Sequence, residues 1–343
     1  MTGSSFRFAG VLRRVGKEFN PAALNRDAQW RIGMAARQRE SAARLRSCQT
    51  HASQCPVCGG ERFEPFTSVF EYSWVRCSRC GHLFCETPPD EAAVAALYSA
   101  EGARRCSQSA IYLDEELFQT RVDRIARPKA EFVASVVNGR GIWVDVGCAT
   151  GELLSAAQAL GWRCRGVESD PDEFAFGRRH GLDIAAEFVS AANIGGFVAG
   201  AQVVSLVNVL EHVRQPVELL CAVSASIATG SYAVFEVPRH PSLSSLANQA
   251  FPDLACRHIY APDHLHVFTE DSAERMLDRA SLHAIAVWTF GQDFHDLTGT
   301  VIAARLPGEE ARWPAIAEAA PCVQAAVDQA GLSDTLFVVA RKG

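Results

Sequence analysis

The second half of the chain alternates short apolar runs with helical stretches, and this alternation restricts the possible folds more than any other feature of the sequence. The apolar runs have the length of buried strands and lie at residues 142–146, 163–168, 203–207, 232–237, 283–290 and 335–341. The helical stretches between the first four of them lie at 152–160, 171–180 and 216–228. Such alternation builds a parallel sheet with helices on both faces. The sequence therefore predicts a doubly wound α/β domain over residues 141–343.

The charge of the chain is unevenly distributed. Residues 1–50 carry ten Arg and Lys against three Asp and Glu, whereas the remaining residues carry 23 against 36. Residues 26–46 are rich in helix-forming Ala, Arg, Gln and Glu. We therefore expect residues 1–50 to form a basic helical arm that packs on the body or on a second copy of the chain, as in a homodimer. An acidic body lacks the clustered cations that phosphates require, so a nucleic-acid partner is not expected.

One uncharged segment has the length of a membrane span. It covers residues 188–210, 23 residues without a charged side chain, but it includes several Asn, Gln and Gly residues. We interpret it as a loop and a buried strand and expect no membrane contact. The hydrophobic content of 48% excludes a disordered chain. Because the 12 cysteines accompany no recognisable secretory signal, we expect a cytoplasmic protein with reduced thiols.

Two C-x-x-C pairs lie close together in the first third of the chain. They are Cys55 with Cys58 and Cys77 with Cys80, each followed by glycine, with 18 residues between Cys58 and Cys77. Each pair presents two thiolates from one tight turn, and the glycines allow the positive φ that such turns need. Four thiolates complete a tetrahedral zinc shell with no open position, so the predicted Zn²⁺ is structural. We expect a zinc-ribbon-like module over residues 51–88; two disulfides and an iron–sulfur centre are the alternatives.

A glycine-rich turn follows the first strand of the predicted sheet. It reads D-V-G-C-A-T-G over residues 145–151 and opens a helix. Gly147 permits a sharp turn, and Gly151 lets a ligand approach the start of the helix. Glu168 ends the next predicted strand, where a carboxylate can accept both hydroxyl groups of a ribose. The layout fits nucleotide-like ligands, and the lack of G-x-G-x-x-G and of a Walker lysine disfavours NAD and ATP.

This turn resembles motif I of the class I S-adenosyl-L-methionine (SAM)-dependent methyltransferases, D-x-G-x-G-x-G, with Ala149 in place of the middle glycine. Residues 203–213 end in L-E-H-V and resemble the fourth strand of the same family. The resemblance covers about residues 142–341. It implies a Rossmann-like, mostly parallel sheet of seven strands and SAM as cofactor. The cofactor-binding residues that it implies are Asp145, Gly147, Cys148, Ala149, Gly151, Glu168 and Asn208. Among them Glu168 holds the ribose and Asn208 lies near the sulfonium.

A long insertion, residues 238–269, follows the fifth predicted strand. It carries several titratable side chains where such sheets bind ligands. Its end, D-H-L-H-V-F-T over residues 263–269, resembles the E-H-L-x-x-F-[S/T] stretch of sugar methyltransferases, several of which carry a four-cysteine zinc segment. In those enzymes a histidine–acid pair helps to remove a proton, and His264 and Asp263 match that pair. The catalytic candidates are therefore His264, Asp263, His266 and Tyr260, although His264 could instead order the helix that begins after Thr269.

These patterns predict transfer of a methyl group from SAM to a small-molecule acceptor, with a sugar or nucleotide-sugar as the preferred class. Residues 89–140 are expected to form a helical lid between the zinc module and the methyltransferase domain. Two alternatives stay open. One is an RNA or protein methyltransferase that grips its substrate with the zinc module and the basic arm. The other is a non-catalytic scaffold with a methyltransferase fold.

Overall fold

The alternating segments form one large sheet with helices on both faces. The computed structural model describes residues 8, 10–18, 26, 28–97, 112–252, 254, 257–305, 308 and 310–343. In spatial order the strands of the sheet are β1 (Leu12–Val15), β11 (Leu282–Phe290), β12 (Thr335–Lys342), β9 (Tyr232–Pro238), β8 (Val203–Val207), β5 (Ile142–Val146), β6 (Arg163–Glu168) and β7 (Ile184–Ala186). Only β12 runs antiparallel to its neighbours among these strands. The predicted doubly wound, mostly parallel sheet is confirmed.

The sheet has eight strands where seven were predicted. The additional strand, β1, comes from the N-terminal arm and pairs in parallel with β11 at the edge of the sheet. Two of its four residues are arginines, so its sequence lacks the apolar pattern that marks the other strands. Arg14 nevertheless packs its guanidinium over the ring of Trp288, 4.1 Å from the centroid, and the Trp288 indole donates a hydrogen bond to the carbonyl of Gly16 (2.7 Å). Tertiary contacts, not local pattern, place this strand.

Two apolar clusters lie on opposite faces of the sheet, because alternate side chains of each strand point to opposite sides. Val144 and Val146 of β5 belong to one cluster, and Trp143 of the same strand belongs to the other. The helices that cover the sheet and its edges are α1 (Ala28–Leu45), α2 (Glu91–Leu97), α3 (Glu115–Arg121), α4 (Arg127–Val136), α5 (Glu152–Ala159), α6 (Pro171–Arg179), α7 (Ile194–Val198), α8 (Pro216–Ser226), α9 (Leu243–Ala250), α10 (Glu270–Arg279), α11 (Asp293–Arg305) and α12 (Trp313–Gln329).

The segment predicted as a helical lid contains α2, α3 and α4 among its described residues; residues 98–111 lie outside the described residues. Helices α3 and α4 are joined by a π-helical turn, Val122–Ala126, just before Pro128. A proline cannot donate the hydrogen bond of a regular α-helix, and a π turn accommodates that loss without breaking the helix. The proline thus locally widens the helix.

A second, four-stranded sheet is built on the cysteine segment. Its order is β10 (His266–Val267), β4 (Leu83–Cys85), β3 (Tyr72–Cys77) and β2 (Phe63–Val69), all antiparallel. Strand β10 belongs to the insertion after β9, so the insertion and the four-cysteine module, residues 51–88, share one sheet.

The uncharged segment at residues 188–210 forms a loop, the short helix α7 and strand β8. Across the described residues, no helix combines the length and the apolar character that a bilayer crossing needs.

Candidate functional site

A cavity of about 600 Å³ opens at the carboxyl edge of the parallel strands. It reaches from the glycine-rich loop, residues 145–151, to the insertion after β9, and residues of helix α1 also line it. This edge of a doubly wound sheet is where such folds bind ligands. The predicted site residues that line it are Asp145, Gly147, Cys148, Ala149, Glu168, Asn208, Tyr260 and His264.

Left-handed backbone shapes the glycine-rich loop. Gly147 has φ +66°, and a Cβ there would lie 2.8 Å from Cγ2 of Val209. Ala149 takes φ +49° although it carries a side chain, a conformation that glycine adopts without strain. Gly151 has φ +92° and packs against Leu182; it is not among the residues that line the cavity. A glycine at position 151 therefore allows Leu182 to pack closely against the start of α5.

The carboxylate of Glu168 ties the ends of β5 and β6 together. One oxygen accepts from the backbone N–H of Ala149 (2.9 Å). The other accepts from the backbone N–H groups of Ser169 (2.7 Å) and Asp170 (2.8 Å). Each oxygen of a carboxylate has more than one lone pair, so Glu168 can order the loop and still receive a ligand hydroxyl group.

Asp145 forms the buried floor of the loop. Its carboxylate accepts a hydrogen bond from the hydroxyl of Ser205 (2.5 Å), which in turn accepts from the indole N–H of Trp143 (2.8 Å). Burial raises the pKa of Asp145 to about 7, because desolvation disfavours the charged form. Near neutral pH this group is therefore poised between its two protonation states.

Asn208 ends strand β8 in a left-handed conformation, with φ +54°. Its backbone N–H donates to the carbonyl of Glu236 at the end of β9 (3.0 Å), and its side chain is exposed in the cavity. Left-handed backbone is uncommon outside glycine and concentrates at functional sites, and Asn tolerates it better than most residues. The left-handed backbone at Asn208 thus turns the chain toward the cavity at the end of β8.

At the far end of the cavity, the segment after β8 meets the insertion after β9. Glu211 and His212 line the cavity together with His264 and Tyr260. The imidazole rings of His212 and His264 are 4.7 Å apart and nearly perpendicular, and Tyr260 stacks on His264 at 4.5 Å. Glu211 and His212 were not predicted as site residues; in the sequence they stand within the L-E-H-V motif. Their proximity to His264 depends on the fold.

Two of the four catalytic candidates point elsewhere. His266 lies in β10, where Nε2 bonds to the Val213 carbonyl (2.9 Å) and Nδ1 contacts Nε2 of His82 (3.2 Å). Neither His266 nor Asp263 is among the residues that line the cavity. The backbone carbonyl of Asp263 accepts a hydrogen bond from Nδ1 of His212 (2.6 Å). The structure therefore brings His264 and Tyr260 to the cavity and places Asp263 and His266 behind it.

The four predicted metal ligands converge. The sulfur atoms of Cys55, Cys58, Cys77 and Cys80 all lie within 4.8 Å of one another. The Sγ atoms of Cys55 and Cys80 are 3.7 Å apart, and those of Cys58 and Cys77 are 3.5 Å apart. Gly59 and Gly81 take φ +68° and +69°, as expected for these turns. This cluster could hold one tetrahedral metal ion.

Hydrogen bonds join the four-cysteine module to the segment that carries His264. The hydroxyl of Thr269, at the end of the insertion, donates to the carbonyl of Cys80 (2.8 Å). The backbone N–H of Cys85 donates to the carbonyl of Leu265, next to His264 (2.9 Å). The four-cysteine module thus contacts both Leu265 and Thr269 of the insertion.

Comparison with known proteins identifies the catalytic domain. A family model described as a methyltransferase domain matches residues 116–287, about half of the chain. The chain belongs to this family. It is a SAM-dependent methyltransferase, as the resemblance in the sequence implied.

Structural comparison finds methyltransferases of low sequence identity. A SAM-dependent methyltransferase from Archaeoglobus fulgidus is 18% identical, with 68% of this chain and 99% of that chain covered and a TM-score of 0.46. Magnesium protoporphyrin IX methyltransferase from Synechocystis PCC 6803 is 11% identical, with 74% and 100% covered and a TM-score of 0.47. Geranyl diphosphate C-methyltransferase from Streptomyces coelicolor A3(2) is 15% identical, with 67% and 85% covered and a TM-score of 0.42. A search of curated proteins finds no match to this sequence.

Proposed function

We propose that this enzyme transfers the methyl group of SAM to a small-molecule acceptor, with a sugar or nucleotide-sugar as the candidate class. The observation that carries the proposal is the single cavity of about 600 Å³ that contains both the glycine-rich loop and the His264–Tyr260 end. Pockets for small ligands commonly have volumes of about 300–1,000 Å³. A cofactor and a small acceptor can therefore meet inside one cavity.

We assign cofactor binding to the glycine-rich loop, residues 145–151, and to the carboxyl ends of β5, β6 and β8. Glu168 is proposed to bind the ribose hydroxyl groups, and Asp145 and Gly147 to border the methionine portion. Asn208 is proposed to lie near the sulfonium. The left-handed loop supports this assignment, because a side chain at Gly147 would meet Val209 at the wall of the cavity. Cys148 and Ala149 line the same space, whereas Gly151 acts by packing.

Helix α1 of the basic arm favours a small acceptor. Trp30, Met34 and Gln38 of this helix line the cavity, so the arm covers the site instead of extending a surface away from it. A helix beside the reacting groups limits their contact with water, which favours methyl transfer to a hydroxyl group. The acceptor is therefore proposed to be small enough to lie beneath α1.

The charges of the arm also favour a small acceptor over RNA. Arg13 pairs with Glu270 (2.7 Å), and both Arg26 and Arg31 pair with Asp296 (3.1 Å each). These cations neutralise acidic groups of the body, and such pairs leave less positive potential for a phosphate backbone. Arg257, in the insertion after β9, likewise pairs with Asp334 and Asp296.

The cysteine cluster is proposed to bind one structural Zn²⁺. At a Zn–S distance of about 2.3 Å, tetrahedral sulfurs lie about 3.8 Å apart, close to the separations of 3.5 and 3.7 Å in the structure. The side chain of Arg279 donates to the carbonyl of Val57 beside the cluster (2.8 Å), and cations there offset the negative charge of four thiolates. Through β10 the zinc module holds the insertion in place.

His264 and Tyr260 are proposed to contact the acceptor, with His264 promoting loss of the acceptor's proton. Asp263 and His266 are proposed to position this pair. Asp263 acts through its backbone carbonyl, which anchors His212, and His266 acts through its place in β10. Bound SAM supplies an electrophilic methyl group. The protein's own contribution is to align the acceptor with that group and to exclude water.

The proposal is tested by mass spectrometry of products from a panel of nucleotide-sugars, with wild type and His264→Ala. We expect a mass gain of one methyl group and a loss of about 10²–10⁴-fold in kcat for His264→Ala, with SAM affinity unchanged. A variant that raises KM alone would restrict His264 to acceptor binding. Methylation of RNA that falls steeply with added salt would instead support the macromolecular alternative.

A further inference from the structure

Three buried side chains of metal-ligating type converge at the acceptor end of the cavity. They are Glu211, His212 and His264, whose ligand atoms all lie within 4.8 Å of one another. Nε2 of His212 is 3.9 Å from a carboxylate oxygen of Glu211. Glu211 is only 1% exposed, and His212 and His264 are 8% and 7% exposed. All three also line the cavity, so the group is held in protein on one side and faces the reaction space on the other.

The two imidazoles are oriented in the way that metal-binding histidines are. Nδ1 of His212 bonds to the backbone carbonyl of Asp263 (2.6 Å), and Nδ1 of His264 bonds to that of His258 (3.0 Å). A carbonyl can only accept, so Nδ1 carries the proton in both rings and the lone pair of each neutral ring lies on Nε2. A hydrogen bond of this kind fixes the tautomer and ring orientation of metal-bound histidines and makes the ligand nitrogen more basic.

The two segments that supply the ligands are also fastened to each other. The backbone N–H of Leu265 donates to the carbonyl of Glu211 (2.7 Å), and the Asp263 carbonyl holds His212. The segment after β8 and the insertion after β9 are thus locked together on both sides of His264. This preorganisation lowers the cost of bringing three ligands to one ion.

The chemistry of the group calls for a cation. A positive charge between the two ring nitrogens and the carboxylate would be attracted to all three. A shared proton or a metal ion could supply that charge. Bonds of about 2.0–2.2 Å to nitrogen and oxygen allow two ligands of one ion to be at most about 4.4 Å apart, so small side-chain rotations would close the set. Two histidines and one carboxylate, with further positions open, form a catalytic type of site.

We propose that Glu211, His212 and His264 bind one divalent transition metal ion, such as Zn²⁺, Mn²⁺ or Fe²⁺, whose open positions receive an oxygen of the acceptor. Resting on the proposed function, this assigns the acceptor to compounds with a hydroxyl group, or two neighbouring oxygens, that can bind a metal. A metal-bound hydroxyl group loses its proton to solvent near neutral pH. Its oxygen then forms the new bond to the methyl carbon as the carbon–sulfur bond breaks and the electron pair remains on sulfur.

The test measures Mn²⁺ binding by electron paramagnetic resonance, without any acceptor, to full-length protein that carries one zinc ion per chain, in the cysteine module. We expect one Mn²⁺ per wild-type chain and at least 100-fold weaker binding to Glu211→Gln and to His264→Ala. His283→Ala, at an exposed position of β11, is the matched control and should bind as wild type does. Elemental analysis should show that every variant keeps one zinc ion, which checks that the cysteine module remains folded.

The proposal is overturned if wild type binds neither Mn²⁺ nor a second equivalent of Zn²⁺ or Fe²⁺, since a shared proton would then explain the cluster. It is also overturned if both variants bind Mn²⁺ as tightly as wild type. Should Glu211→Gln fail to fold, His264→Ala decides the question, because His264 lies at the cavity wall. Failure of every sugar acceptor would refute the proposed substrate class and leave the binding result intact.

Discussion

Glu168→Gln tests the cofactor assignment most directly. The substitution keeps the size of the side chain but replaces one accepting oxygen with an NH₂ group. The carboxylate receives the N–H groups of Ala149, Ser169 and Asp170, so the amide must turn its NH₂ toward at least one backbone donor. A hydrogen bond to a charged group contributes about 1.5–3 kcal/mol. For a chain of 343 residues, that loss lowers Tm by about 2–4 °C.

The same substitution should weaken SAM binding about 10- to 100-fold. The loop that borders the cofactor loses an anchor at Ala149, and the ribose loses its charged acceptor. This change corresponds to about 1.4–2.8 kcal/mol of binding free energy. Isothermal titration calorimetry measures it, and Glu218→Gln, at an exposed position of α8, should bind SAM as wild type does. Unchanged SAM affinity together with a lower Tm would refute the ribose contact and leave Glu168 as an organiser of the turn.

Three further predictions concern the zinc module and the loop. Cys58→Ser should remove the zinc ion and lower the soluble yield, because metal binding and local folding are coupled; elemental analysis checks this, and a fully folded wild type without metal would contradict it. Asp145→Asn should flatten the pH dependence of stability. Because the pKa of Asp145 is raised to about 7, its carboxyl group stabilises the fold fully below the unfolded pKa near 4. This contribution to the free energy of unfolding, on the order of 4 kcal/mol, is lost as the pH rises to 7. Parallel curves of Tm against pH for the two proteins would refute it. Gly147→Ala should lower Tm and SAM affinity, because the alanine would have a positive φ and would contact Val209. Gly161→Ala, with φ +87° and no atom within 4 Å of the added Cβ, should introduce backbone strain alone. Equal losses of SAM affinity in the two variants would argue against a role for Gly147 beside the cofactor.

Features that depend on neighbouring residues could be predicted from the sequence. The strands and helices of the catalytic domain follow from apolar periodicity, which acts over a few residues. Each C-x-x-C pair forms its turn from four consecutive residues and a glycine. The strand–glycine-rich loop–helix unit likewise carries its own turn chemistry, so the position of the cavity at the carboxyl edge followed from local pattern and the rules of parallel sheets.

Side-chain direction within the insertion could not be predicted in this way. His264 lines the cavity, whereas Asp263 and His266, one and two residues away, do not. The motif names all three as candidates, but only the pairing of His266 with Phe84 in the second sheet decides which side chain faces the cavity. Residues 264–267 alternate polar and apolar side chains, but strand β10 covers only His266–Val267, so this alternation does not predict which histidine faces the cavity.

The sequence by itself determined the fold class, the cysteine turns and the glycine-rich loop, because each depends on interactions between residues that are close in the chain. Only the tertiary structure decided the eighth strand, where Arg13 and Arg14 pair with residues of β11 more than 270 positions away. It also decided that Glu211 and His212 meet His264 across more than 50 residues of chain. Such contacts depend on how whole helices and strands pack, and the local pattern of residues does not predict that packing.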